Sequence, residues 1–127
     1  MWTTALRAVA LLGCISAPSL TLAEGDPDAG EREYRACRSC HQLDAGKNGA
    51  GPSLHGLMGA TAGQVEGFRY SDDMVASGIV WTAETLDAFI ADPKGVVPGT
   101  SMGYRGLRND TKRADLIAYL ARETAAD

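Results

Sequence analysis

Several common ingredients are missing or scarce. After the N-terminus there is no apolar run of membrane-spanning length, so the mature protein is expected to be soluble. Basic residues are outnumbered, 12 against 16 acidic, for a net charge of −4. That balance argues against nucleic acid as a partner. Aromatic residues make up only 6% of the chain, while glycine numbers 15. Such a composition describes a lean core with many loops, and it suits a fold built around another bulky apolar body. No strand pattern, internal repeat or low-complexity segment is evident, and 127 residues are enough for one domain. Cysteine is limited to three residues and histidine to two.

The first 23 residues read as an export signal. Arg7 supplies a short positive region, Ala8 to Ile15 an apolar stretch too short for a bilayer, and Pro18 breaks it. Thr21-Leu22-Ala23 offers small residues at a cleavage point, which predicts a mature domain over 24–127 in the periplasm. A buried N-terminal helix is one alternative. Another is a lipoprotein signal at Leu11-Leu12-Gly13-Cys14, although the apolar stretch before Cys14 is short for that. Removing Arg7 with the leader takes the net charge to −5 and leaves Cys37 and Cys40 as the only thiols.

The pattern that follows is helical. Asp26 is an N-cap candidate, Pro27 suits a first helical turn, and the helix should run through Tyr34 toward Cys37 with Gly30, Tyr34 and Cys37 on one face. Tyr34 reads as core packing. Residues 44–61 form a glycine-rich loop with no phosphate-binding pattern. Ser71 to Ala76 predicts a short helix stopped at Gly78. Thr82 caps a helix with Leu86, Phe89 and Ile90 on its apolar face, ended by Asp92-Pro93. Gly95 to Gly106 reads as a second loop, and a last helix runs from about Asp110 to Arg122 with Leu116, Ile117, Leu120 and Ala121 in one stripe. The expectation is a small all-α protein whose long loops are tied down by something buried.

Cys37-Arg38-Ser39-Cys40-His41 supplies a candidate for that buried body. A thioredoxin-like reading of C-x-x-C expects a βαβ context, which is missing. A zinc site needs four ligands. The mature chain offers Cys37, Cys40, His41 and His55, and adjacent Cys40 and His41 cannot easily share one tetrahedral ion. A disulfide would leave the histidine unused. Covalent haem attachment uses all three residues: two thiols one helical turn apart for the porphyrin vinyls, and the adjacent histidine for the iron. A second axial ligand must come from Met58, Met74, Met102 or His55. Most methionines are core filler, but Met102 sits in the loop Pro98-Gly99-Thr100-Ser101-Met102-Gly103, far along the chain from His41.

From about Gly25 to Glu123 the chain resembles class I cytochromes c of the mitochondrial and photosynthetic-bacterial type. The matching segments are Cys37 to His41, Gly51-Pro52-Ser53-Leu54-His55-Gly56-Leu57, Gly67-Phe68-Arg69-Tyr70, Gly78-Ile79-Val80-Trp81, Glu84-Thr85-Leu86, Pro98 to Met102, and Asp115-Leu116-Ile117-Ala118-Tyr119-Leu120. The resemblance implies an all-α cytochrome c fold, with N- and C-terminal helices packed together and loops wrapping one haem c. It implies thioethers at Cys37 and Cys40, axial ligation by His41 and Met102, a Pro52 carbonyl accepting the other ring N–H of His41, and Tyr70, Trp81 and Thr100 on a propionate. His55 reads as a packed or surface residue.

Three departures stand out. Ala60 follows Gly59 where relatives often carry an arginine near a propionate, for which Arg69 could compensate. Met74 stands where many relatives have asparagine, and Phe89 where tyrosine is common, both in a polar network beneath the methionine ligand. In the family a lysine can displace that methionine at high pH, and Lys94 is the only lysine between Trp81 and Met102. The function implied is one-electron transfer by a monomer that is not an enzyme, docking transiently with redox proteins through Arg38, Lys94, Tyr104 and Arg108. A dedicated haem subunit of a periplasmic dehydrogenase would share these residues. A ligand-binding or peroxidase-like haem protein would need an open or labile iron.

Overall fold

Helix α1, Pro27–Arg38, begins where Asp26 turns its side chain onto the Asp28 N–H at 2.9 Å and Pro27 fills the first helical position. A computed structural model describes residues 24–126 together with Ala10, Leu12 and Gly13. The expected leader, its cleavage point and Cys14 lie almost wholly outside the described residues. Four more helices follow: α2 Asp72–Ala76, α3 Ala83–Ala91, α4 Pro93–Val96 and α5 Asp110–Glu123. The described residues contain no β-strand, only isolated bridges joining His41 to Asn48 and Thr61 to Val80. None of their helices is long and apolar enough to cross a membrane.

Helices α1 and α5 pack on each other more extensively than any other pair. Gly30 allows the approach, because a Cβ there would overlap the Asp115 carbonyl and press on the Tyr119 side chain. Tyr34 and Tyr119 meet with ring centroids 5.2 Å apart. The start of α1 is tied to α5 by the Asp26 N–H on Asp115 (2.8 Å) and by Arg122 on Asp28 (3.1 Å).

Helix α3 is closed at its start by a capping box between Thr82 and Thr85 and buries Leu86, Phe89 and Ile90. Leu116, Ile117, Tyr119 and Leu120 of α5 join the same core. Ala121, expected in that stripe, is exposed, and Tyr119 is buried instead.

The expected loop from Gly95 to Gly106 requires correction at its start. Asp92 ends α3 and also begins α4: its carboxylate accepts from Gly95 N–H at 3.2 Å, and Pro93 takes the first helical position. The Asp-Pro pair that stops one helix thus starts the next. The long stretch between α1 and α2 is held from outside. Ala60 and Ala62 are tied to Trp81 and Ile79 by backbone bonds of 2.9 and 2.7 Å, and Gly56 N–H reaches Thr124 O at 2.7 Å.

Candidate functional site

Cys37 lies in the last turn of α1, and the chain then folds back so that the His41 N–H bonds to Cys37 O at 2.9 Å. This tight exit keeps both thiols and the imidazole on one side of the helix end. Burial first, and the neighbouring Cys40 second, push the free Cys37 thiol up to about 11. Cys40 is exposed.

The imidazole is held from two directions. Its Nδ1 lies 2.7 Å from Pro52 O, which leaves Nε2 as the nitrogen available to a metal. Gly51 passes over the ring so closely that a Cβ would fall 2.5 Å from Cε1. The Tyr34 hydroxyl donates to the backbone carbonyl of His41 at 2.9 Å. Tyr34 was expected only as packing. The signal for its second role is a hydroxyl two helical turns before the histidine, on a core-facing tyrosine that needs a partner when buried. Burial, then Cys37, push that hydroxyl up to about 12.

A cavity of about 520 Å³ opens between this segment and the loop after α4. Such a volume is within the range of roughly 300–1,000 Å³ usual for cofactor sites. All eight residues singled out from the sequence line it: Cys37, Cys40, His41, Pro52, Tyr70, Trp81, Thr100 and Met102. Ala60, Met74 and Phe89 line it as well, as does His55, which is otherwise exposed. The floor is apolar, with Leu86, Ile90, Leu116 and Leu120. Trp81 packs on Phe89 at 5.1 Å between ring centroids.

On the far side, Thr100 Oγ1 accepts from Met102 N–H at 3.2 Å. The Tyr70 hydroxyl accepts from Val65 N–H at 3.1 Å, and burial raises its pKa above the ordinary tyrosine value. Arg69 is exposed and does not line the cavity. Of the residues expected to guide docking, Tyr104 lines the cavity, while Arg38, Lys94 and Arg108 are exposed and do not.

A sequence profile described as Cytochrome c matches residues 27–123. The chain belongs to the cytochrome c family. It is 50% identical to cytochrome c2 iso-2 of Magnetospirillum fulvum over 87 residues, which span 68% of this chain and 91% of that one. It is 47% identical to cytochrome c2 of Rhodomicrobium vannielii over 100 residues, 78% and 80% of the two chains. Among solved structures, cytochrome cH from Methylobacterium extorquens superposes with a TM-score of 0.72 at 42% identity, covering 77% of this chain and 99% of that one.

The all-α fold and the Cys37-Cys40-His41 motif accord with this family, whose cofactor is one covalently bound haem c. The cavity fits such a group: an apolar chamber, two thiols at its rim, and an imidazole already oriented by a carbonyl. This cytochrome c is an electron carrier.

Proposed function

We propose that this cytochrome c is a monomeric periplasmic carrier with His41 and Met102 as its axial ligands. The observation that carries the reading is that His41 and Met102 line one chamber from different loops, with His41 Nδ1 committed to Pro52 O at 2.7 Å. When bound, the haem supplies a single-electron couple between Fe(II) and Fe(III). Cys37 and Cys40 tether it covalently. Pro52 fixes the imidazole and adds to its basicity. Met102, a soft thioether, favours the reduced state and raises the potential. Tyr70, Trp81 and Thr100, which line the same chamber, would donate to a propionate, and the apolar floor would exclude water.

With His41 and Met102 both holding the haem iron, no position would remain for a substrate, in keeping with electron transfer without catalysis. Export rests on the sequence of residues 1–23, with cleavage after about Ala23. Docking is assigned to the surface near Tyr104, with exposed Arg38, Lys94 and Arg108 steering an acidic partner.

Carbon monoxide tests the ligand set. The reduced parent protein should resist binding, and Met102→Ala should bind it stoichiometrically and lose potential. Prompt binding by the parent would refute closed ligation.

A further inference from the structure

Arg113 is the one charged side chain buried among the described residues. A buried charge persists only when well partnered, and here the guanidinium has three partners. Nε donates to Asp87 Oδ1 on α3 at 2.6 Å, and Nη2 to Asp110 Oδ1 at 2.8 Å. Nη1 donates to the backbone carbonyl of Leu107 at 3.0 Å. The side chains of Arg113 and Asp87 are 9% and 27% exposed, against 91% for Asp110, so Asp87 carries the protected half of the pair.

The Leu107 contact is the informative one. Leu107 ends the segment that carries Met102. Its N–H donates to Ile90 O at 2.8 Å, at the end of α3. Gly106, at φ +112°, lies so close to the Ala91 carbonyl that a Cβ would overlap it. At the other end of the segment, Thr100 N–H is tied to Val97 O at 3.0 Å. The stretch 101–105 is therefore slung between two anchors, and Arg113 joins the downstream one to both α3 and α5.

We infer that Arg113 is a positioning residue for Met102: it clamps the downstream end of the methionine segment and sets how readily that side of the haem opens. This rests on the reading of Met102 as an axial ligand. Arg113 does not line the cavity, so its influence passes through Leu107.

The test uses the holoprotein with Arg113→Lys, which keeps the charge but not the fork, and Asp110→Asn as a control. Three quantities are followed: amide exchange of residues 101–107, imidazole binding to the ferric protein, and the urea midpoint. Losing a hydrogen bond from a charged donor should speed exchange and imidazole entry on the order of tenfold, with α1 amides unchanged. Asp110→Asn should stay within about twofold, as for an exposed pair. Should Arg113→Lys fail to assemble, Asp87→Asn carries the comparison and should open the segment faster than Asp110→Asn. Unaltered exchange at 101–107, or exchange rising equally in α1 and 101–107, would overturn the clamp. The sulfur-to-iron absorption band separates the two ideas: its absence from the parent overturns Met102 ligation, while exchange still decides whether Arg113 holds the segment.

Discussion

At the scale of single residues, Met74 and Phe89 line the chamber with apolar side chains, 9% and 6% exposed. Neither side chain can donate a hydrogen bond toward the methionine side. Apolar surroundings disfavour the extra charge of Fe(III), so the couple should be shifted toward reduction. Met74→Asn with Phe89→Tyr should lower the midpoint potential by on the order of 40 mV, the equivalent of about 1 kcal/mol for a restored hydrogen bond. A redox titration giving an equal or higher value would remove the idea. Cys37, Cys40 and His41 were legible in the sequence because thioether chemistry demands fixed residue types at fixed spacing, and Met74 and Phe89 stood out only against the family resemblance. Arg113 and Asp87 were not legible. They are 26 positions apart, in no motif, and only the approach of α5 to α3 makes them partners. The closeness of Gly51 to the His41 ring was equally hidden, since glycine in a loop rich in glycine carries no mark of which one is indispensable.

At the scale of elements, α5 serves both sides of the chamber. Near its start Arg113 holds Leu107 of the methionine segment, and beyond its end Thr124 O holds Gly56 of the loop that carries Pro52. Its own footing is α1, where Gly30 leaves no room for a Cβ beside the Asp115 carbonyl. Gly30→Ala should therefore force the two helices apart and cost about 1–3 kcal/mol, read as a lower urea midpoint of the holoprotein. An unchanged midpoint would mean that the crossing adjusts without loss. The existence of α1, α2, α3 and α5 could be read from caps and apolar spacing, because those signals are local. Helix α4 escaped because Asp92-Pro93 reads first as a stop, and four residues are too few to show a period.

At the scale of the whole molecule, stability should respond to alkaline pH through Tyr34. Its hydroxyl titrates at about 12 in the fold, raised by burial first, against about 10 in an unfolded chain. Between those values the unfolded chain has released a proton that the fold retains. Stability should thus be unaffected below about 10 and fall as pH rises toward 12. Urea midpoints on either side of that window should drop less in Tyr34→Phe, and an identical drop would assign the loss to other groups. Thioether formation at Cys37 removes the thiolate contribution and leaves the burial part. The placement of Cys37 and Cys40 at one helix end has a separate consequence, for molecularity. A cofactor bound only by contacts departs when a protein unfolds, and its free concentration then enters the equilibrium. A haem joined to the C-terminal end of α1 stays within reach of its chamber even when α1 has melted, at an effective concentration set by the chain. Refolding of this cytochrome c should accordingly be first order in protein and indifferent to dilution.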